Sequence, residues 1–260
     1  MKKLTYFLLI FTIFSCQKEE KVLGPSANVN LNLYAVYNGA PLIMHQPYDY
    51  PDGHKVKFDQ FNFFLANVTL LEAETGDELD LLEVALADFS DITNLSEVHP
   101  VTYTARSVPA VKYKGIRMSF GVPSGLNKSS ILSYGAGHPV RAAYDTHFWK
   151  DGGSFFFMKI DGVYDLNNDG VCGTLPEDHP FEHYPVKNKN YTTITVLKNF
   201  TIENGKTFDL NLVVDLMKLY ANNGTQPLLS DPANLSTYNP VNETLSSYLM
   251  SNFQQAVSIE

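Results

Sequence analysis

The stretch Lys55-Val-Lys-Phe58-Asp-Gln-Phe61-Asn-Phe63-Phe-Leu65-Ala-Asn67-Val68-Thr-Leu70-Leu71-Glu72 decides the fold class of this chain. Its apolar residues Val56, Phe58, Phe61, Phe63 and Leu65, then Val68, Leu70 and Leu71, keep close to the period of a strand with one face in a core. Aromatic and β-branched side chains suit a pleated surface better than a helix. Asn67 interrupts the run and reads as a bulge.

Outward from this stretch the same period recurs. Upstream, Val29, Leu31, Leu33, Ala35 and Tyr37 alternate along a strand that Asn38-Gly39 ends with a turn. Downstream, Leu79 to Leu86, Thr102 to Val111 and Lys114 to Val122 are further strand candidates, the last closed by Pro123-Ser124-Gly125. Ser154 to Asp161 is almost continuously apolar, which predicts a central strand covered on both faces. Tyr191 to Leu197 and Lys206 to Val214 follow, with Asn204-Gly205 as the turn before the second. Helical spacing occurs once, in Leu245, Tyr248, Leu249 and Phe253, with Asn242 placed as N-cap. Short strands, frequent turn signals and one short C-terminal helix predict an all-β fold, an antiparallel β-sandwich of the immunoglobulin-like or Greek-key kind.

At 260 residues the chain supports one substantial core. Met1-Lys2-Lys3, the apolar run Leu4 to Phe14 and Ser15-Cys16 have the layout of a secretory signal too short to span a bilayer. Ile13-Phe14-Ser15-Cys16 resembles a lipobox, and Gln17-Lys18-Glu19-Glu20 resembles the surface-export signal of Bacteroidota lipoproteins. The expected division is therefore a signal peptide at 1–15, a lipidated Cys16 with a flexible tether at 16–27, and a single β-sandwich domain at 28–260. The expected location is the outer membrane, through the lipid anchor, either surface-exposed or facing the periplasm. Cleavage removes Lys2 and Lys3, leaving 17 of the 19 basic residues against 28 acidic ones, a balance that argues against nucleic acid as a partner. With Cys16 lipidated, Cys172 has no partner for a disulfide.

The chemistry gathers between Thr146 and Pro185. Asp165-Leu-Asn167-Asn-Asp169-Gly170 matches the first half of a calcium loop, in which alternate oxygen ligands converge on a hard cation, with Glu177 or Asp178 left to close it. The same run reads equally well as a solvated Asn/Asp/Gly turn. His147 and Trp149, two apart, share a face in extended chain, and Met158 lies on the strand that follows. His179 and His183 are four apart, but Pro180 biases His179 away from helical geometry. Imidazole and thioether are ligands copper accepts, although a lone histidine is more often structural. No nucleophile elbow, P-loop, dinucleotide fingerprint or HExxH motif is present, and the reading is of a non-enzymatic protein.

Several segments, in order, resemble the MbnP-like copper-binding proteins associated with methanobactin operons. They are Gly39 to Leu42, Phe58 to Leu70, Gly115 to Asn127, Phe148-Trp149 through Gly162, Phe181-Glu-His183 and Leu212 to Leu216. The resemblance implies a cell-envelope protein that binds copper, with His183 and Trp149 at the family's positions and His147 as an addition local to this sequence. It also implies a di-haem cytochrome c peroxidase-like partner that oxidises the tryptophan. Asp151, Ser154 and Pro185 depart from the family pattern within this region. The alternative is a surface binding or adhesion module for a glycan or protein, stabilised by calcium at Asp165, Asn167, Asp169 and Glu177, with Tyr48, Tyr50, Tyr184 and Tyr191 exposed for contacts.

Overall fold

The computed structural model describes residues 24–128, 130, 133–173, 176–222 and 224–260. The expected signal peptide, Cys16 and most of the tether lie outside the described residues. In chain order the elements are β1 (Ser26–Tyr37), β2 (Ala40–Pro41), β3 (Pro47–Asp49), β4 (Lys55–Glu72), β5 (Glu78–Asp88), β6 (Val101–Pro109) and β7 (Lys112–Phe120). Two single-turn helices follow, α1 (Pro139–Ala142) and α2 (Tyr144–His147), then β8 (Phe148–Trp149), β9 (Ser154–Phe155), β10 (Met158–Tyr164) and β11 (His179–His183). The chain closes with β12 (Thr192–Thr201), β13 (Thr207–Asp215), α3 (Leu216–Tyr220), α4 (Glu243–Ser251), α5 (Phe253–Ala256) and β14 (Val257–Ile259). None of the described helices is long and apolar enough to cross a membrane.

Two sheets enclose one core. The first runs β14-β13-β1-β2 with β6 also on β1, and the second runs β11-β10-β4-β7-β12 with β3 and β5 also on β4. β4 organises the second sheet because both its edges are used along their length. Val56 to Phe63 pair with β10 and Leu65 to Glu72 with β7, while β3 and β5 take the opposite edge. Strand pairing is antiparallel except between β1 and β13, which run parallel from Asn28 opposite Thr207 to Val36 opposite Asp215.

Two irregularities keep the apolar side chains of β4 pointing inward. Opposite Asp161 and Gly162 the register passes from Gln60 to Phe58, skipping Asp59, so Phe58 and Phe61 share the inner face. At Asn67, as expected, the backbone turns left-handed (φ 47°) and the pairings to both neighbours shift. Phe58, Phe61, Phe63 and Leu65 are thereby fully buried, each stabilising the fold by about 1.5–3 kcal/mol. Across from them lie Leu31 and Leu33 of β1 and Leu210 and Leu212 of β13.

The C-terminal helix forms where the periodicity places it, with the Asn242 side chain accepting from the Leu245 amide at 2.9 Å. It leads Phe253 into the core, where its ring stacks on Phe120 with centroids 3.7 Å apart. The strand expected over Ser154 to Asp161 is broken: β9 ends at Phe155 and β10 starts at Met158. The apolar run is continuous because it serves two clusters in turn. Phe155 and Phe157 enter the main core, Phe156 packs with Tyr184 and Val186 in a separate cluster, and Lys159 and Asp161 are only partly covered.

Candidate functional site

His183 ends β11 with its side chain wholly buried on the inner face of the second sheet. The pairings of His183 to Ile160 and of Ile160 to Phe61 fix that face, because paired residues of neighbouring strands project together. Both ring nitrogens are engaged. Nε2 lies 2.7 Å from the Asn234 carbonyl, which only accepts, so Nε2 carries the proton and Nδ1 accepts from the Tyr220 hydroxyl at 2.7 Å. Tyr220 arrives on α3, capped by the Asp215 carboxylate at the Met217 amide. Burial holds the imidazole pKa down to about 4, so the ring is neutral at physiological pH.

His147 is the C-terminal residue of α2, not part of an extended segment with Trp149, so the period of two does not relate them. Its ring lies against Phe64 and its Nε2 is 3.0 Å from the Asn62 side chain. Asn62 pairs with Lys159 and alternates with Phe61 and Phe63, which puts it on the outer face of the same sheet. The structure therefore does not bring His147 and His183 together: they occupy opposite faces of β10 and β4. Met158, paired with Phe63, belongs to the inner face.

The hydrogen bonding of His147 is also less constrained. Its Nδ1 is 2.8 Å from the Thr146 hydroxyl, which itself donates to the Ala143 carbonyl. With Nε2 protonated the ring donates to Asn62 Oδ1 as placed and accepts from Thr146 at Nδ1; with Nδ1 protonated it donates to Thr146 and keeps the Nε2 lone pair. Asn62 Nδ2 is buried without a partner, and half a turn of the amide aims it at that lone pair. Burial, followed by the positive charge of Lys159 and opposed by Asp88, lowers the His147 pKa to about 4. The ring borders a cavity of about 510 Å³ between β5 and the two short helices, lined also by Gln60, Tyr103, Pro139 and Lys159.

Trp149 sits on the β8–β9 hairpin, half-buried against Tyr238 with ring centroids 6.4 Å apart. Glycine is required at 152, since a Cβ there meets the indole ring at 2.0 Å. Tyr238 stacks on Tyr184 at 5.0 Å and donates to Glu182, and the Lys159 ammonium stands 4.7 Å over the Tyr184 ring. Desolvation raises the Asp161 pKa, opposed first by a hydrogen bond from Tyr184. The expected exposed tyrosines are not exposed: Tyr50 and Tyr184 are buried and Tyr48 and Tyr191 half-buried, because each ring packs against neighbours.

The Asp165 loop closes on itself. Asp165 accepts from the Asp169 and Gly170 amides at 3.1 and 2.9 Å, and Asn167 and Asp169 accept from amides two residues ahead. Asp178, buried, accepts from Leu166 and Gly173, whereas Glu177 is exposed in the preceding turn. Asp178, not Glu177, is the acid that closes the loop. His179 lies on β11 and contacts the Leu229 carbonyl at 3.2 Å, away from any helix. Cys172 is a free thiol whose pKa burial and the nearby Asp165 and Asp178 push up to about 11.

Among the described residues no group of three or more His, Cys, Asp or Glu side chains is arranged to hold a metal ion. Asn62, Tyr220 and Asn234, which fix the two imidazoles, escape sequence reasoning. Only Asn62 leaves a trace, as an amide inside the apolar run Phe61 to Leu65. Comparison with curated proteins gives no match. Among solved structures the chain is similar to MbnP from Methylosinus trichosporium, with 14% identity and a TM-score of 0.49 over 75% of this chain and 77% of that one. The family model for MbnP matches residues 26–240, and the chain belongs to the MbnP family.

Proposed function

We propose that this chain is a non-catalytic lipoprotein of the outer membrane that binds copper, with His147 as the first ligand. Family membership supports copper as the metal, and the neutral imidazole of His147 beside an open cavity carries the assignment of the residue. Ligation needs a neutral ring with a free lone pair, and Nε2 of His147 offers one when an incoming metal displaces the Asn62 side chain that faces it. His183, the residue the resemblance favours, has neither nitrogen to give without orphaning a buried carbonyl or a buried hydroxyl. The fit is to a single imidazole, so further ligands come from rearrangement or from a partner. A di-haem peroxidase-like protein is the partner proposed, with half-buried Trp149 as the group it would reach.

A second reading rests on Asp165 and Asp178, two carboxylates that are both buried in one loop. Burying such charges is costly, and a calcium ion would offset that cost in a surface binding or adhesion module. Copper and calcium measured together by elemental analysis of the natively purified protein separate the two readings. Copper near one equivalent per chain supports the first. Calcium alone, with no copper taken up on titration, replaces it with the second.

A further inference from the structure

The outer face of the second sheet carries a groove of about 410 Å³ across β5, β4, β7 and β12, which shares no lining residue with the cavity at His147. Pockets for drug-like ligands are mostly apolar. Most of the residues lining this one carry side chains that donate or accept hydrogen bonds. Its floor is formed by two buried hydroxyls, Thr69 and Ser119. Planar polar groups surround them: the Asn67 amide, the carboxylates of Asp80 and Glu83, and the Arg117 guanidinium. Leu82 and the Tyr191 ring supply the apolar part of the wall.

The lining is held in place before any ligand arrives. Asn67 donates to the Tyr191 hydroxyl at 2.7 Å, Thr69 donates to Asp80 at 3.1 Å, and the Ser119 and Thr193 hydroxyls are 2.8 Å apart. Arg117 grips Glu78 through both terminal nitrogens, which neutralises its charge. The bulge at Asn67 turns its side chain out of the ladder, and bulges of this kind concentrate beside binding sites. With Arg117 neutralised, Asp80 and Glu83 leave the groove negative, which disfavours anionic ligands.

We infer that this groove binds an uncharged saccharide. Neighbouring hydroxyls on a sugar ring match the two oxygens of a carboxylate in spacing, the same geometry that makes bidentate recognition specific. The C–H face of the ring has Leu82 and Tyr191 to lie on. Prealigned side chains reduce the ordering cost that weakens binding of flexible partners.

Affinity electrophoresis of the full chain tests this, in native gels containing laminarin, mannan, xylan or pullulan, with dextran sulfate as the polyanion control. Retardation by at least one neutral polysaccharide, none by dextran sulfate, and an affinity about tenfold weaker in Glu83→Gln and in Tyr191→Phe are expected. Tyr191→Phe keeps the ring but removes the hydroxyl that holds Asn67, so the affinities of both variants are compared only where their thermal unfolding midpoints match the wild type. Unchanged mobility in all four neutral gels overturns the inference, as does equal retardation of both variants and the wild type.

Discussion

His183 and His147 lie on opposite faces of one sheet, both buried and both held neutral, yet they do different work. On the inner face His183 ties β11 to α3 and to the loop carrying Asn234, with a fixed tautomer and no spare lone pair. On the outer face His147 contacts two side chains, Thr146 and the buried Asn62, and it borders open space. Residue type and burial are the same in both. What separates the two is access: His147 borders a cavity through which a ligand can arrive and displace a side chain, whereas His183 is sealed between a carbonyl and a hydroxyl.

The largest expected difference between the two regions is in stability. His183→Ala leaves the Asn234 carbonyl and the Tyr220 hydroxyl unpaired beside a new cavity, and a loss of roughly 3–5 kcal/mol is expected in urea denaturation. A loss below about 1 kcal/mol would break the contrast, because it would mean that water already reaches the inner face.

The next effect is pH dependence of the metal-free protein. Both imidazoles have a folded pKa near 4, below the ordinary value near 6.5, so the unfolded chain binds more protons between those limits. Stability is therefore complete above about pH 6.5 and falls as pH drops towards 4, by on the order of 3 kcal/mol per imidazole. Denaturation midpoints measured across this window should fall with acid in the wild type and less steeply in His147→Gln. An unchanged slope in that variant would remove His147 from the buried pair. The smallest effect is that of His147→Ala, where water can enter from the cavity and about 1–2 kcal/mol is expected.

The fold was legible where one residue dictates local geometry. The left-handed bulge at Asn67, the Asn38-Gly39 turn and the Asn242 cap all follow from side-chain chemistry within a few residues. The parallel pairing of β1 with β13 was not legible, because nothing local in Asn28 to Val36 names a partner more than half the chain away. The same limit governs the site. His147, His183 and Trp149 are visible as residues, but the face each occupies depends on register shifts opposite Asp161 and on the one-turn helix before Phe148. Asx-type closure of the Asp165 loop was one of two readings the sequence offered, and Asp178 rather than Glu177 completes it because it lies at the turn into β11.

Nitrogen NMR of the two imidazoles in the 15N-histidine-labelled protein, as copper(I) is added under reducing conditions, separates the available histidine from the structural one most directly. The Nε2 resonance of His147 should shift and saturate near one equivalent while both nitrogens of His183 stay in place, held by Tyr220 and Asn234. Movement of the His183 resonances first, with His147 unperturbed, would contradict this separation.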